Sequence, residues 1–341
     1  MKANELPIND FLKSQEVQFV IPVYQRNYDW TTSECKQLLD DILAIGKAEK
    51  GTHFIGSIVF VYENAFTTGS VKELVIIDGQ QRLTTVNILY AALHRFAKQA
   101  GKEKEAELIM NLYLTNQYAE REAHKLKLKQ TDANGAAFQA ILLETEKGLG
   151  FSNVTENFRY FRSRINADNF GTILEGLQRL IFVEISLERG KDDPQRIFES
   201  LNSTGLDLTQ SDLIRNFILM DLEPAEQQRL FARIWNPIEE NARDLTRQKS
   251  LVSDFIRDYL TLRNKKIPNK SKVYHEFKKR YPHKQDSVYM QDLEDMKSLA
   301  MHYRKFVNPE VEEDVAIRRA LLRIKTLEIN VVYPFLLQLF E

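Results

Sequence analysis

Cysteine is almost absent from this 341-residue chain: Cys35 stands alone, so no internal disulfide can form, and a reducing, cytoplasmic compartment is the expectation. Long apolar runs are missing as well. The longest, Val331 to Phe340, is interrupted by Pro334 and Gln338 and falls short of the ~18–20 residues that cross a bilayer, so no membrane span is expected. The first residues, Met1-Lys2-Ala3-Asn4-Glu5, lack a basic stretch leading into an apolar one, and no secretory signal is expected there. Glycine (13) and proline (9) are too few for collagen-like or low-complexity sequence, and 43% hydrophobic with 28% charged residues is ordinary globular usage. At a prior of ~150 residues per domain, the length suggests about two domains, each with a real core.

Charge of one sign is lacking overall: 47 Lys plus Arg stand against 48 Asp plus Glu, a net of -1, so the whole chain is no polycation. Locally the balance shifts. From Asn241 to Asp286 there are thirteen basic residues against five acidic ones, a net of +8. Such a block can meet a phosphate backbone, with Arg263, Lys265, Lys266, Lys270 and Lys272 as the candidate DNA contacts, although solvated helix faces are lysine-rich too.

Apolar periodicity divides the chain into a mixed front half and a helical back half. Val17 to Ile21 reads as a short strand before Pro22, and Glu34 to Lys47 as a helix capped by Thr31, Thr32 or Ser33. His53 to Tyr62 and Glu73 to Ile77 are β-rich runs flanking the turn-like Thr67-Thr68-Gly69-Ser70, which suggests an antiparallel pair. After Asp78-Gly79 the period changes to 3.6 and predicts a helix to about Gln99. The stretch from Glu103 to about Gly148 reads as helical, interrupted at Asp132-Ala133-Asn134-Gly135. Leu180 to Leu187 reads as a strand, Gln195 to Leu201 as a short helix, and a further helix starts near Ser211. The domain boundary is expected at Glu223-Pro224, where the pattern becomes continuously helical, with breaks around Pro237, Lys265 to Asn269, Tyr281-Pro282 and Pro309.

Three segments carry possible chemistry. In Ile76-Ile77-Asp78-Gly79-Gln80-Gln81-Arg82-Leu83-Thr84-Thr85, a strand feeds a glycine turn and then a helix, which aims unpaired N–H groups into the turn and makes an anion site. Gly79 permits close backbone approach, Arg82 neutralises phosphate, Thr84 or Thr85 caps the helix or touches phosphate or metal, and Asp78 is the candidate metal ligand. It is not a Walker loop, since the Gly-Lys-Ser/Thr ending is missing. A plain hairpin-to-helix turn, with Asp78 as cap and Arg82 on the surface, fits the spacing equally well. Phe198 to Asn216 places polar residues between two amphipathic helices; Asn202 offers an amide oxygen to a hydrated cation, while Asn202-Ser203-Thr204-Gly205 is also good turn chemistry and Thr209 and Ser211 are candidate caps. Ile21 to Trp30 gathers Tyr24, Tyr28 and Trp30 around Arg26, either to stack a base or to seal the sheet against the first helix.

The motifs Tyr24-Gln25-Arg26-x-Tyr28-x-Trp30, Asp78-Gly79-Gln80-Gln81-Arg82-Leu83-Thr84-Thr85 and Phe198-x-x-x-Asn202-x-x-Gly205-x-x-Leu208-x-x-x-Asp212-Leu213 resemble, in order, the N-terminal domain of GmrSD-type modification-dependent restriction endonucleases. That domain is similar to the ParB/sulfiredoxin fold. The resemblance, which spans about the first 216 residues, implies a ParB/sulfiredoxin-like nucleotide-binding domain with a small mixed sheet over residues 1–222; with the all-helical domain that apolar spacing predicts over 223–341, the expected class is α+β. The resemblance also implies that Asp78 to Arg82 cradle nucleotide phosphates, that Asn202 lies near a bound metal, and that Tyr24, Gln25 and Arg26 flank the nucleotide. The activity implied is Mg2+-dependent binding and hydrolysis of a nucleoside triphosphate, coupled to cleavage of modified DNA in anti-phage defence. In that scheme Asp78 and Asn202 hold the cation, Gly79, Arg82, Thr84 and Thr85 contact the nucleotide, and Gln80 or Gln81 orients the attacking water.

The family commonly ends in a His-Asn-His nuclease domain, and none is recognisable here. His53, His94, His124, His275, His283 and His302 are scattered, and His275 and His283 read as surface residues. A nuclease domain or subunit of that type is therefore an expected partner beside DNA, with a homodimer left open. Because the chain stops within an apolar stretch, a truncated piece of a longer protein is expected, with a stand-alone subunit as the alternative. The competing functional readings are a non-enzymatic DNA-binding adaptor, using the same turn as a phosphate clamp, and weak nuclease activity of this chain.

Overall fold

The computed structural model describes residues 1–341 except 15–16, 63–70, 147–149, 189–190, 203–207, 283 and 285–286, and gives no side-chain description at 132, 133, 201, 202 and 287. The expected turn at Thr67-Thr68-Gly69-Ser70, Gly205 with its loop, and His283 lie outside the described residues. The chain forms two compact units, Met1–Phe198 and Glu199–Glu341. The sequence places the boundary at 222/223; the units part at 198/199 because the helix Gln210–Leu219 packs on helices of the second unit.

The first unit is built on a six-stranded mixed sheet in the order β1-β6-β3-β4-β2-β5, where β1 is Lys2–Pro7, β2 Val17–Val20, β3 His53–Tyr62, β4 Lys72–Asp78, β5 Leu128–Lys129 and β6 Leu180–Leu187. The expected antiparallel pairing of β3 with β4 is present, Phe60 facing Ile76. On its other side β3 runs parallel to β6, and β2 runs parallel to both β4 and β5. Ile58, Val59, Phe60 and Val61 are all buried, although successive side chains point to opposite faces, so both faces of β3 are covered there. Two short strands are not evident in the sequence. β1 carries little apolar signal, and β5 lies within the stretch whose pattern reads as helical.

The first-unit helices are α1 (Ile8–Lys13), α2 (Thr32–Lys47), α3 (Gln80–Gln99), α4 (Glu103–Ile109), α5 (Asp132–Leu142), α6 (Asn153–Arg164) and α7 (Phe170–Gln178), with α8 (Pro194–Asn202) crossing the division. Thr31 caps α2 in a capping box: its hydroxyl accepts from the Ser33 N–H while Glu34 accepts from the Thr31 N–H. Asp132-Ala133-Asn134-Gly135, expected to interrupt a helix, instead opens α5 behind Thr131. α3 is the central helix. Every residue from Leu83 to Leu93 is buried, so it is enclosed around its whole circumference and packs against α4 and α6. That enclosure fixes where its N-terminus points.

The second unit is helical, as expected, apart from a small hairpin of β7 (Arg243–Asp244) and β8 (Lys249–Ser250). Its helices are α9 (Gln210–Leu219), α10 (Pro224–Leu230), α11 (Asn236–Asn241), α12 (Val252–Asn264), α13 (Val273–Arg280), α14 (Ser287–Val307), α15 (Val315–Thr326) and α16 (Tyr333–Phe340). α9 packs on α12 and α13, and α12 on α14 and α16. Thr209 is the α9 cap, in a second capping box with Asp212. The buried guanidinium of Arg215 is held by Asp212 at 2.9 Å and Glu239 at 2.8 Å, so the charge is paired where an unpaired one would be costly.

Candidate functional site

The turn at the end of β4 is set by Gly79. It caps α3 from the left-handed region, φ +91°, and a Cβ there would lie 2.8 Å from the Ser57 carbonyl oxygen. Only glycine satisfies both conditions. The Leu83 N–H closes on the Gly79 carbonyl at 3.1 Å, and no side chain caps the helix. The N–H groups of Gln80, Gln81 and Arg82 precede the first intrahelical bond, and with the helix dipole they favour an anion at this end.

Asp78 and Arg82 flank the turn, both about one quarter exposed, with Arg82 Nη2 3.9 Å from the Asp78 carboxylate. The Arg82 guanidinium is not free on the surface. Nη1 donates to the carbonyl of Ser57 at 2.7 Å and of Ile55 at 3.2 Å, in the segment where β3 slips register against β6. Gly56, φ +100°, makes room for it. One edge of the fork is thus spent on backbone, and the other faces Asp78.

The segment Tyr24 to Trp30 is brought to this turn. Gln25 donates to the Ile77 carbonyl at 2.7 Å, Gln80 to the Arg26 carbonyl at 2.9 Å, and Gln81 to the Asn27 carbonyl at 3.3 Å. Gln81 Oε1 also accepts the Asp29 N–H at 3.1 Å. Gln80 and Gln81 are each 7% exposed and use their amides to fasten the loop, which leaves the water-orienting role expected of one of them without a free, exposed amide. Arg26 pairs with Asp29 at 2.9 Å.

Several expected contacts point inward. Tyr24 and Tyr28 are 2% and 5% exposed, so neither ring presents an open face for a base, and Trp30 packs against the core. Thr84 and Thr85 are interior too. The Thr84 hydroxyl accepts from Gln130 at 2.7 Å, while that of Thr85 donates to the Gln81 carbonyl and meets the Tyr28 hydroxyl at 2.8 Å, so the cap falls to Gly79 and not to either threonine. Burial drives the Tyr28 phenol far above its ordinary value and pushes the Cys35 thiol up to about 12. Asn157 on α6, not among the residues singled out in the sequence, donates to the Tyr28 hydroxyl at 2.9 Å and to the Trp30 carbonyl at 2.7 Å. Its signal is a polar residue amid Val154, Phe158 and Phe161 on an apolar face. The signal for the Arg82 seat is a glycine inside a strand run, Gly56, which marks a bulge.

Asp78 fits a role as a cation ligand: its carboxylate is partly open, and Arg82 is its ion-pair partner among the described residues. Among those residues, no group of three His, Cys, Asp or Glu could hold a metal, so a cation here would draw its remaining ligands from phosphate and water. Asn202 ends α8, and its side chain lies outside the described part of the structure.

In the second unit the +8 block resolves into two kinds of cation. Arg263 is committed to protein partners: it bonds Asp295 at 2.5 Å and Glu341 at 2.6 Å and lies over the Tyr259 ring. Arg280 and Lys278 are likewise tied to Asp292 and Glu199. Lys265, Lys266, Lys270 and Lys272 are exposed and enter no ion pair among the described residues. Lys266, Lys272, Lys279 and Arg280 line a groove of about 720 Å³ with Glu276 as its acidic member.

The first unit is thus an α+β scaffold in which a glycine-hinged strand-to-helix turn is flanked by an acid and an arginine and buttressed by a Tyr-Gln-Arg loop, an arrangement with the donors an anion requires. The family model of the GmrSD restriction endonuclease N-terminal domain matches residues 8–219, and the chain belongs to that family, which makes it part of a restriction system. No curated protein matches the chain. The match ends with α9, beyond the division between the compact units.

Proposed function

We propose that this chain is the nucleotide-binding regulatory part of a modification-dependent DNA restriction system, hydrolysing a nucleoside triphosphate with Mg2+ in a ParB-like manner. The observation that carries the reading is the Gly79 turn, which aims the α3 N-terminus between Asp78 and Arg82. Phosphates sit against the N–H groups of Gln80, Gln81 and Arg82, and the Nη2 edge of Arg82 neutralises them. The cation supplies charge neutralisation and orders the phosphate oxygens, held by Asp78 directly or through water. Gln25, Gln80 and Gln81 position the loop that carries Arg26, so nucleotide binding and the 24–30 segment move together. The helical unit contacts DNA through Lys265, Lys266, Lys270 and Lys272, and cleavage belongs to a His-Asn-His nuclease partner.

Calorimetric titration with each of the four ribonucleoside triphosphates and Mg2+, with phosphate release read in parallel, tests the proposal. Saturable binding that Arg82→Ala weakens by ~1.5–3 kcal/mol supports it. No binding of any triphosphate turns the reading into a DNA-phosphate clamp without enzymatic activity, for which steeply salt-dependent DNA binding is the signature.

A further inference from the structure

On α12, Asp254, Arg257, Asp258 and Thr261 fall at the spacing i, i+3, i+4, i+7 of one helix face. A polar stripe of this kind normally faces water. Here it lines a cavity of about 740 Å³ in the second unit, walled by Tyr303 and Tyr333 and bounded on other sides by Lys249, Lys270 and Lys325, by Asp244, and by Arg247 paired with Glu328. The volume is that of a small-molecule site.

Asp258 is the anomaly. It is 8% exposed, and among the described residues its carboxylate accepts no hydrogen bond and has no cation within ion-pair distance. The carboxylate faces the cavity and not a protein donor, and burial pushes it up to about 7 even though Arg257 and Lys270 pull it down. A ligand that takes the place of water in the cavity meets this carboxylate with hydrogen-bond donors. A metal ion is disfavoured, because no three acidic, His or Cys side chains converge among the described residues and because Arg257 and Lys270 already oppose a cation beside Asp258. Lys249 and Lys270 are exposed at the cavity edge, enter no ion pair among the described residues, and offer their charge to an anionic group on the same ligand. A neutral donor group joined to a phosphate answers both requirements.

We propose that this cavity binds a nucleoside phosphate: Asp258 accepts from amino, imino or hydroxyl donors of the nucleoside, and Lys270 with Lys249 holds the phosphate. The site is separate from the Asp78–Arg82 turn and does not depend on the reading of that turn. The same chemistry reaches it from two sources, a free mononucleotide or an unpaired nucleotide of a DNA strand.

The experiment is titration of the full chain, carrying Arg82→Ala to silence the turn, with deoxynucleoside monophosphates, the matching nucleosides, inorganic phosphate, and an oligonucleotide duplex with or without one unpaired nucleotide. The expected result is saturable monophosphate binding that weakens at least tenfold in Asp258→Ala, and a Lys270→Ala effect that vanishes for the nucleoside. Asp258→Ala removes no hydrogen bond, and Lys270 is exposed, so both variants are expected to fold; thermal melts verify this. Competition by the duplex only when it carries the unpaired nucleotide identifies the strand as source, absence of competition identifies the free nucleotide, and equal competition by the fully paired duplex overturns the nucleoside pocket in favour of phosphate contact at Lys270 alone. The proposal is overturned if neither monophosphate nor oligonucleotide saturates, if Asp258→Ala binds as the parent does, or if inorganic phosphate binds as tightly as the nucleotide.

Discussion

The guanidinium of Arg82 occupies the space that a side chain on Gly56 would take: a Cβ built on Gly56 falls 2.3 Å from Arg82 Nη1. A residue in the middle of a strand and another in the first turn of a helix are therefore one structural unit, and the anion turn cannot be altered at either end alone.

Gly56→Ala is accordingly expected to act at the turn from a distance. The φ of +100° is unfavourable for alanine, and the displaced guanidinium gives up its carbonyl partners, a destabilisation of roughly 1–3 kcal/mol. Triphosphate affinity should fall with it. In a double-mutant cycle with Arg82→Ala, the second substitution should then weaken binding little further, because both remove the same interaction. Additive losses in titration calorimetry would show that Gly56 and Arg82 act separately.

Gln81→Ala should loosen the 24–30 segment. It removes the partner of the Asp29 N–H and of the Asn27 carbonyl on an exposed stretch of the loop, where each lost hydrogen bond costs ~0.5–1.5 kcal/mol. Denaturant unfolding followed by tryptophan fluorescence, with Trp30 inside the segment, reads the shift in midpoint. Gln81→Glu still accepts from the Asp29 N–H but no longer donates to Asn27, so its midpoint is expected between the two.

Arg263 and its lysine neighbours should separate cleanly. Replacing Lys265, Lys266, Lys270 and Lys272 with alanine is expected to leave the melting temperature nearly unchanged and to flatten the salt dependence of DNA binding, by roughly 0.9 in the log–log slope for each phosphate that is no longer neutralised. Arg263→Ala should do the reverse, lowering the melting temperature by freeing Asp295 and Glu341 while the salt slope stays. Equal slopes for the parent and the lysine variant would remove this face from the DNA contacts.

Asp258 predicts a pH signature. Its folded-state value near 7 exceeds the ordinary ~3.9, so between those limits the folded chain keeps a proton that the unfolded chain has released. Stability from this group therefore falls as pH rises from about 4 to about 7 and is level above that, by at most about 4 kcal/mol. Asp258→Asn should gain on the parent through that window in chemical denaturation. A gap that does not change with pH would mean that the carboxylate is solvated or paired.

The core of the first unit is legible in the sequence because its signals are local and strong. The β-rich run His53 to Tyr62, the switch to period 3.6 after Gly79, and the Thr31 and Thr209 caps each appear where the sequence puts them. β1 and β5 are not legible, because a six-residue strand of mostly exposed side chains and a two-residue strand are made by their partners and not by their own pattern. At the turn, residue identity gives the place but not the direction of each side chain. Gln80, Gln81, Thr84 and Thr85 read as ligand contacts until the loop they hold is seen, and Arg263 reads as a surface cation until Asp295 and Glu341, far along the chain, are found against it.

Cys35 is wholly buried, its thiol raised to about 12 by that burial, and it is the one cysteine in the sequence. A sulfhydryl so enclosed stays silent toward maleimides at neutral pH. The native chain is thus already a blank background for site-directed labelling: a single cysteine placed at Arg26 or at Lys270 would carry a fluorophore or spin probe alone, and each unit could report its own ligand without first engineering the protein free of thiols.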